Sequence, residues 1–564
     1  MSKKVVLVVT FLLSIGMPVL ACTNLIVGKK ASADGSVMVT YNDDAGSKFG
    51  HLCHFPAATH EPGEMRQIYD WETKRYLGEI PEAPLTYNVV GNINEFQLSI
   101  CESTFGGRYE LLNRQGILDY GSLIYIALQR CKTAREAIKL ITDLIDEYGY
   151  YSTGESFSIC DKNEAWIMEL IGKGAGSKGS VWVAVRIPDD AICAHANQSR
   201  ITTFPQTKKI DKKLGCYVVG DDCMYSSDVI SFAREKGYFS GRDEEFSFRD
   251  AYHPLSAGTT RSCDGRVWSI YNMFDHEGMQ QYLPYIMGDM KSPSMPLYIV
   301  PTRQLTVRDV KNAMRDHYEG TPLDSRNDIS AGAWATPYHA GLGFTSSEGN
   351  TYFSERPIAT QQTAFALVAQ LRSWLPDEVG GLMWFGCDDP AMIAYTPVYC
   401  CTNRVPEAYG KKIADTAHFS MQSAYWLCNT ISNIVYNRWS VMIDDLQKAQ
   451  AELDDRFEAE QAAIEQKVLE MGQNERREFL TAKTGEYCDQ MMDRWTNLFG
   501  YLAIKYNDFM IRRELEYGVF DATSDEKCRT TRYTYPQYFL DAVAHETGQR
   551  YVRTAATHES QGDR

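Results

Sequence analysis

The sequence predicts an α+β protein: stacked antiparallel sheets with helices packed outside them, then a helical C-terminal region. Three observations lead there. Strand-like runs between residue 22 and about residue 301 come in pairs joined by short polar turns, the pattern of antiparallel pairing. Helical periodicity interrupts them at Tyr120–Gln129 and Arg135–Tyr148. From about Ile413 the chain reads as helix, with Val435, Trp439, Met442, Ile443 and Leu446 on one face at roughly 3.6-residue spacing. An apolar sheet face needs a covering layer, and helices of this kind supply one.

In chain order, "CTNLIVGKK" and "DGSVMVTYNDD" form an expected hairpin around the turn signal Asp34-Gly35. "FQLSICEST" is a strand. Thr133 is the expected N-cap of the second helix. "SFSICDKNEAWIMELI" is strand, turn, strand, and "SVWVAVRIPDDAICAHAN" reads as a second hairpin of the same kind. "MPLYIVPTRQLTVRDVKNAMRDHYEG" gives a strand and a helix capped by Gly320. The stretch to about Tyr409 is irregular, with "GGLMWFG" as one of a few strands. The charged run "DDLQKAQAELDDRFEAEQAAIEQK" extends the late helix with a largely solvated surface. The tail after about Arg553 is polar and expected to fray.

Bulk properties narrow the function classes. A net charge of −16 over 564 residues, with no long basic run, argues against nucleic acid as partner. No stretch is apolar for the ~18 residues of a membrane span. Metalloprotease HExxH, esterase GxSxG and phosphate-loop motifs are absent. The 15 cysteines include no CxxC, and His51, His54 and His60 near Cys53 lack a fourth ligand at metal spacing, so no metal or organic cofactor is expected. His195 reads as a core histidine.

The N-terminus carries the chemistry. Lys3 and Lys4, the short apolar run Val5–Ile15 and the helix-breaking Gly16-Met17-Pro18 form an export signal, with cleavage expected after Ala21. The expected organisation is a signal peptide over 1–21, a catalytic domain over 22–410 and a helical extension over 411–564, in an exported, periplasmic or extracellular protein. Cleavage would give Cys22 a free α-amine. Reference pKa values near 8 for such an amine and about 8.5 for a thiol let one residue supply both nucleophile and base. It then needs a carboxylate to orient the amine, donors for an oxyanion, and a cation.

"ACTNLIVGKKASADGSVMVTYNDD" resembles the start of the dipeptidase-type cysteine peptidases of the N-terminal-nucleophile (Ntn) hydrolase superfamily. Secernins and the penicillin V and bile-salt amidases are more distant relatives. The resemblance continues through "NEFQLSICESTFGGR", "ESFSICDKNEAWIMELIGKG", "GRVW", "RDHYEGTPLD", "VAQLRSWLPDEVGGLMWFG" and "AYWLCN". It implies an αββα sandwich and hydrolysis of dipeptides without a cofactor. By position it implies Cys22 as nucleophile, Asp44 as the holder of its amine, Asn197 as an oxyanion donor and Arg266 as the cation near the sulfur. Tyr41 and Asn94 are the expected substrate contacts, with a backbone N–H of the 92–94 loop as second oxyanion donor. The amidase relatives usually carry an arginine where this chain has Tyr41, which leaves Arg266 as the main cation. An exopeptidase also needs a carboxylate for the substrate's amine, and Asp43 and Glu102 are nearby candidates.

Two other readings stay open. One is an amidase acting on N-acyl amides. The other is a non-catalytic lipid-anchored protein, because Val19-Leu20-Ala21-Cys22 also resembles a lipobox; the β-like run directly after Cys22 disfavours a tether. Dipeptides are the expected partners, and self-association into a homo-oligomer is left open.

Overall fold

The run from Asn24 to Val27 pairs with Val37–Asp44 in the expected hairpin, Ile26 opposite Val39. Gly35 takes φ +86° in the turn, and Asp34 closes it by accepting from Ser32 and Ser36. The computed structural model describes residues 22–338, 343–352, 355–522, 530–531 and 533–552. The expected signal peptide, its cleavage bond and the tail after Arg553 lie outside the described residues.

This hairpin sits within a six-stranded sheet in the order Ile192–His195, Asn24–Val27, Val37–Asp44, Thr363–Leu371, Gly381–Cys387, Thr396–Tyr399, and every pairing is antiparallel. A second, ten-stranded sheet has Ser180–Ile187, Ala165–Gly172, Gly154–Cys160 and Ser99–Gly106 as its long central strands. The strand Ser99–Gly106 of this sheet packs against Val37–Asp44 of the first. Tyr120–Arg130 and Ala134–Tyr148 cover the ten-stranded sheet, while Gly265–Phe274, Val307–Met314 and Ala424–Tyr436 pack on the six-stranded one.

Alternation along a strand shows why both faces are dry. Ala165, Ile167 and Ile171 belong to one apolar core, and Trp166, Met168 and Leu170 to a second under the Ala134–Tyr148 helix. Thr133 caps that helix, its hydroxyl accepting from Glu136 N–H while the Glu136 carboxylate accepts from the Thr133 N–H. Thr133→Ala is expected to destabilise the protein by about 1 kcal/mol, read as a lower thermal midpoint; an unchanged midpoint would show that tertiary packing alone holds this end.

Three local expectations are corrected. First, Ser180–Ile187 and Ile192–His195 do not form a hairpin. The former lies in the ten-stranded sheet, whereas the latter crosses to the six-stranded one and pairs with Asn24–Val27. Gly28 permits the crossing, because a Cβ there would meet Asp189 O at 2.4 Å. Second, Gly320 caps no helix: the helix ends at Met314, and Tyr318 and Gly320 take φ +69° and +73° in a separate turn. There Asp316 accepts from Ser269, and His317 contacts Glu319 and Tyr436, side-chain bonds that replace further helix. Third, Val435 and Trp439 are not on one continuous helix. Ala424–Tyr436 ends before Arg438 (φ −145°, ψ 45°), whose guanidinium donates to Tyr506 O, and a new helix runs over Trp439–Leu469. All five predicted apolar positions are nonetheless buried. Gln473–Lys505 then returns beside it, and Trp495 donates to Met392 O, tying these helices to the sheet half of the chain.

No helix among the described residues is long and apolar enough to cross a membrane.

Candidate active site

Cys22 stands two residues ahead of the first strand, only 3% exposed. Thr23 and Asn42 bridge through paired backbone hydrogen bonds, which fixes the cysteine beside the far end of the neighbouring strand. That strand alternates Tyr41, Asn42, Asp43, Asp44. The Tyr41 hydroxyl lies 3.7 Å from Cys22 Sγ, and the Asp44 backbone N–H hydrogen-bonds the sulfur. From the other sheet Glu102 brings Oε1 to 3.6 Å from Sγ, and the Tyr41 hydroxyl donates to the same oxygen. Burial raises the Cys22 thiol pKa well above its ordinary value, and Glu102, Asp43 and Asp44 push it further in that direction. The sulfur is therefore a thiol at rest.

Arg266 organises the opposite side. It lies in the first turn of Gly265–Phe274, a helix start held by a buried Arg200–Asp264 ion pair of 2.9 Å and by the Tyr285 hydroxyl donating to Asp264. Its Nη1 donates to Cys22 O at 3.0 Å and Thr23 Oγ1 at 2.8 Å, and its Nη2 to Ala196 O at 3.1 Å and Asn197 Oδ1 at 3.0 Å. The guanidinium thus grips the backbone carbonyl of the cysteine. Asn197 follows directly on the crossed strand. It adopts a left-handed φ of +61°, unusual for a non-glycine residue, and its Nδ2 donates to Thr104 O at 2.7 Å. The crossing that broke the predicted hairpin is what carries Asn197 to the site.

Asp44 is fully buried. Its Oδ1 accepts from the Thr363 hydroxyl at 2.6 Å and its Oδ2 pairs with Arg356 at 3.1 Å. Burial pushes its pKa up to about 7, offset in part by Arg356, Thr363 and Arg266. Asp43, whose carboxylate also bonds the Tyr41 side chain, pairs with Lys48 at 2.7 Å; Lys48 also approaches Glu72 at 3.6 Å. Lys48 and Glu72 line a cleft of about 350 Å³, together with Ala45, Trp71, Lys74 and Lys411. It is linked to the sulfur through Lys48, Asp43 and Tyr41.

The structure therefore gathers Cys22, Tyr41, Asp44, Asn197 and Arg266 into one cluster. Asn94 is not brought into it. Its Nδ2 donates to Leu128 O and Cys131 O, and its Oδ1 accepts from the N–H groups of Phe96 and Leu98, so the amide secures a helix end and its own loop. The Asn94 backbone N–H is committed to Leu98 O, which removes it as an oxyanion donor. His195 joins the sheets as a core residue: its two ring nitrogens meet Ser103 Oγ at 2.6 Å and Ser158 Oγ at 2.7 Å, and burial pushes its pKa down to about 3.

Sequence reasoning missed Arg356, the second cation of the site. Arg356 precedes the strand that pairs with Val37–Asp44, and only the register Asp44 opposite Thr363 brings it in. It also missed Glu155, which shares a sheet face with Glu102 because Glu102 stands opposite Phe157. Nothing local marks either residue.

The site thus holds a buried thiol clamped at its own backbone, with carboxyl and guanidinium groups converging on it. Residues 21–452 match the family model of peptidase family C69, and the chain belongs to that family. Among its relatives, a probable dipeptidase of Salmonella dublin is 28% identical over 71% of this chain and 85% of its own length. A probable dipeptidase of Latilactobacillus sakei is 26% identical over 86% and 95%, and dipeptidase A of Lactobacillus helveticus is 23% identical over 89% and 99%.

Proposed function

We propose that this protein is an exported dipeptidase of the Ntn-hydrolase type, an αββα sandwich whose nucleophile is Cys22, freed by cleavage after Ala21. One observation carries the reading: Arg266, Asp44, Tyr41 and Glu102 converge on the backbone and sulfur of the residue where the leader is expected to end. The dipeptidase names of the relatives supply the substrate class.

The α-amine of mature Cys22 takes the thiol proton as sulfur attacks the scissile carbonyl. The high thiol pKa demands such a coupled transfer, because no standing thiolate is stable among these carboxyl groups. Asp44 orients the amine, and Arg356 and Arg266 keep the local charge from becoming too negative for it to act as a base. Asn197, held by Arg266 at Oδ1 and bonded through Nδ2 to Thr104 O, is the proposed side-chain donor to the oxyanion. The C–N bond breaks as the proton passes to the leaving amino acid. Water then hydrolyses the thioester, releasing the first residue and restoring thiol and amine.

The test is the mass of the mature protein together with its turnover. The expected result is an unmodified chain starting at Cys22 that hydrolyses dipeptides in preference to penicillin V or a conjugated bile acid. An active preparation that retained Ala21, or carried a diacylglyceryl increment, would overturn the assignment; turnover confined to the acyl amides would turn it into an amidase.

A further inference from the structure

The site holds more carboxyl groups than the proposed chemistry uses. Asp44 serves the amine of Cys22, and Asp43 is paired with Lys48. Glu102 has no such duty. It is fully buried, makes no ion pair among the described residues, and accepts on Oε1 from the Tyr41 hydroxyl and, at 3.6 Å, from the Cys22 thiol. Its Oε2 and the Oε1 of buried Glu155 accept from no N–H or hydroxyl donor among the described residues. The two carboxyl groups hydrogen-bond each other instead. Such a contact requires a proton between them, since touching carboxylates cannot both ionise. Thr104 donates to the far oxygen of Glu155 at 2.9 Å, which holds that group in place. Sharing one proton, the pair holds its charge beside the nucleophile with no cation in direct contact among the described residues; burial pushes the Glu102 pKa up, and Lys48, paired with Asp43, pulls it down only from a distance. A charge in that position is costly unless something arrives to meet it.

We infer that Glu102, backed by Glu155, is the seat of the substrate's α-ammonium group, so that Cys22 attacks the carbonyl of the first residue of a peptide with a free N-terminus. This rests on the dipeptidase reading of Cys22 and deepens it.

Covalent geometry supports the placement. An attacked carbonyl carbon stands about 3–3.5 Å from the sulfur. The nitrogen of the same residue is roughly 2.5 Å from that carbon. An ammonium-to-carboxylate bond adds about 2.8 Å. A carboxylate oxygen 3.6 Å from Sγ closes this short circuit for the amine of the attacked residue. An amine one residue further along the chain would sit a further ~3.8 Å away and would need its partner farther out. The site therefore counts one residue from the N-terminus. An N-acyl group brings no charge to Glu102 and leaves it buried and unmet, which selects against the acyl amides of the alternative reading. Glu102 is thus a specificity-determining residue and Glu155 a positioning residue that holds it.

Three probes test this: L-alanyl-L-alanine, propionyl-L-alanine, which differs only in lacking the amine, and N-acetyl-L-alanyl-L-alanine. The wild-type enzyme is expected to favour L-alanyl-L-alanine over propionyl-L-alanine by ~10²-fold or more in kcat/KM. Glu102→Gln is expected to bring the two to within about tenfold, with the loss for the dipeptide carried mainly in KM. Equal turnover of the first two probes by the wild type overturns the inference, as does a Glu102→Gln enzyme that keeps the full preference. Should that variant not fold, the substrate series on the wild type decides alone. Failure of the underlying reading looks different: no probe is hydrolysed, or hydrolysis survives Cys22→Ala.

Discussion

Cys22→Ala is expected to lower dipeptide turnover by about 10⁴-fold or more, because removing a covalent nucleophile removes the whole two-step route. The sulfur's contacts are few: it touches the Tyr41 hydroxyl and Glu102, which also bond each other, and the Asp44 backbone N–H. Stability should therefore change little, and circular dichroism should be unaltered. The variant still presents a free α-amine after processing, so it tests the nucleophile alone. A complementary chain tests the base. A leaderless protein beginning Met-Gly-Cys keeps the thiol but converts the Cys22 amine into an amide without a basic lone pair. Its turnover should fall by ~10²–10⁴-fold, the usual contribution of a general base. Full activity in that chain would show that another group takes the thiol proton and would remove the reason for coupling processing to catalysis.

What the sequence revealed of this site follows from how far apart the residues lie. Cys22, Tyr41 and Asp44 belong to one hairpin that a turn signal announces, but alternation alone puts Tyr41 and Asp44 on opposite faces, and the strand shifts register between Asp43 and Asp44. Arg266 and Asn197 depended on family resemblance, and the structure brings them together through a strand whose sheet the sequence misassigned. The short polar turn "PDD" looks the same whether a chain doubles back within one sheet or steps to the next. What differs is the vacant edge of Asn24–Val27, a partner some 165 residues earlier in the chain and invisible locally. Arg356 is further from reach, since its position follows from the register of Thr363–Leu371 against Val37–Asp44. Asn94 shows the opposite failure. It lies in a stretch resembling the family, yet its amide is consumed by the end of the Tyr120–Arg130 helix, a need that appears only once that helix is packed above it. The break at Arg438 was missed because the apolar spacing runs on across it, and periodicity cannot register one non-helical residue.

Asp44→Asn is expected to reduce kcat by ~10³–10⁴-fold, comparable with replacing the carboxylate that orients a catalytic base elsewhere. The asparagine fits the space and can still accept from Thr363, but it brings no charge to hold the amine and takes from Arg356 the carboxylate it pairs with. The pH profile separates orientation from mere packing. Before processing, burial holds the Asp44 pKa at about 7, against the pull of Arg356, Thr363 and Arg266 and with Asp43 pushing upward. An ammonium at Cys22 adds a cation beside it, so the acid limb of kcat in the mature enzyme should lie below pH 7. The Asp44 part of that limb should be absent in Asp44→Asn, leaving only the titration of the Cys22 amine, and should move to higher pH in Arg356→Gln, which loses a cation that stabilises the ionised form. Stability follows the same group with a definite sign. In a Cys22-blocked chain the native state keeps a proton on Asp44 that the unfolded state has released, so this group's contribution declines as pH rises from about 4 to about 7. Unfolding measured across that window should show a shallower decline in Asp44→Asn than in its parent. An identical slope in both would mean that Asp44 is ionised throughout, and the orienting charge would then be present at every working pH rather than governed by proton binding.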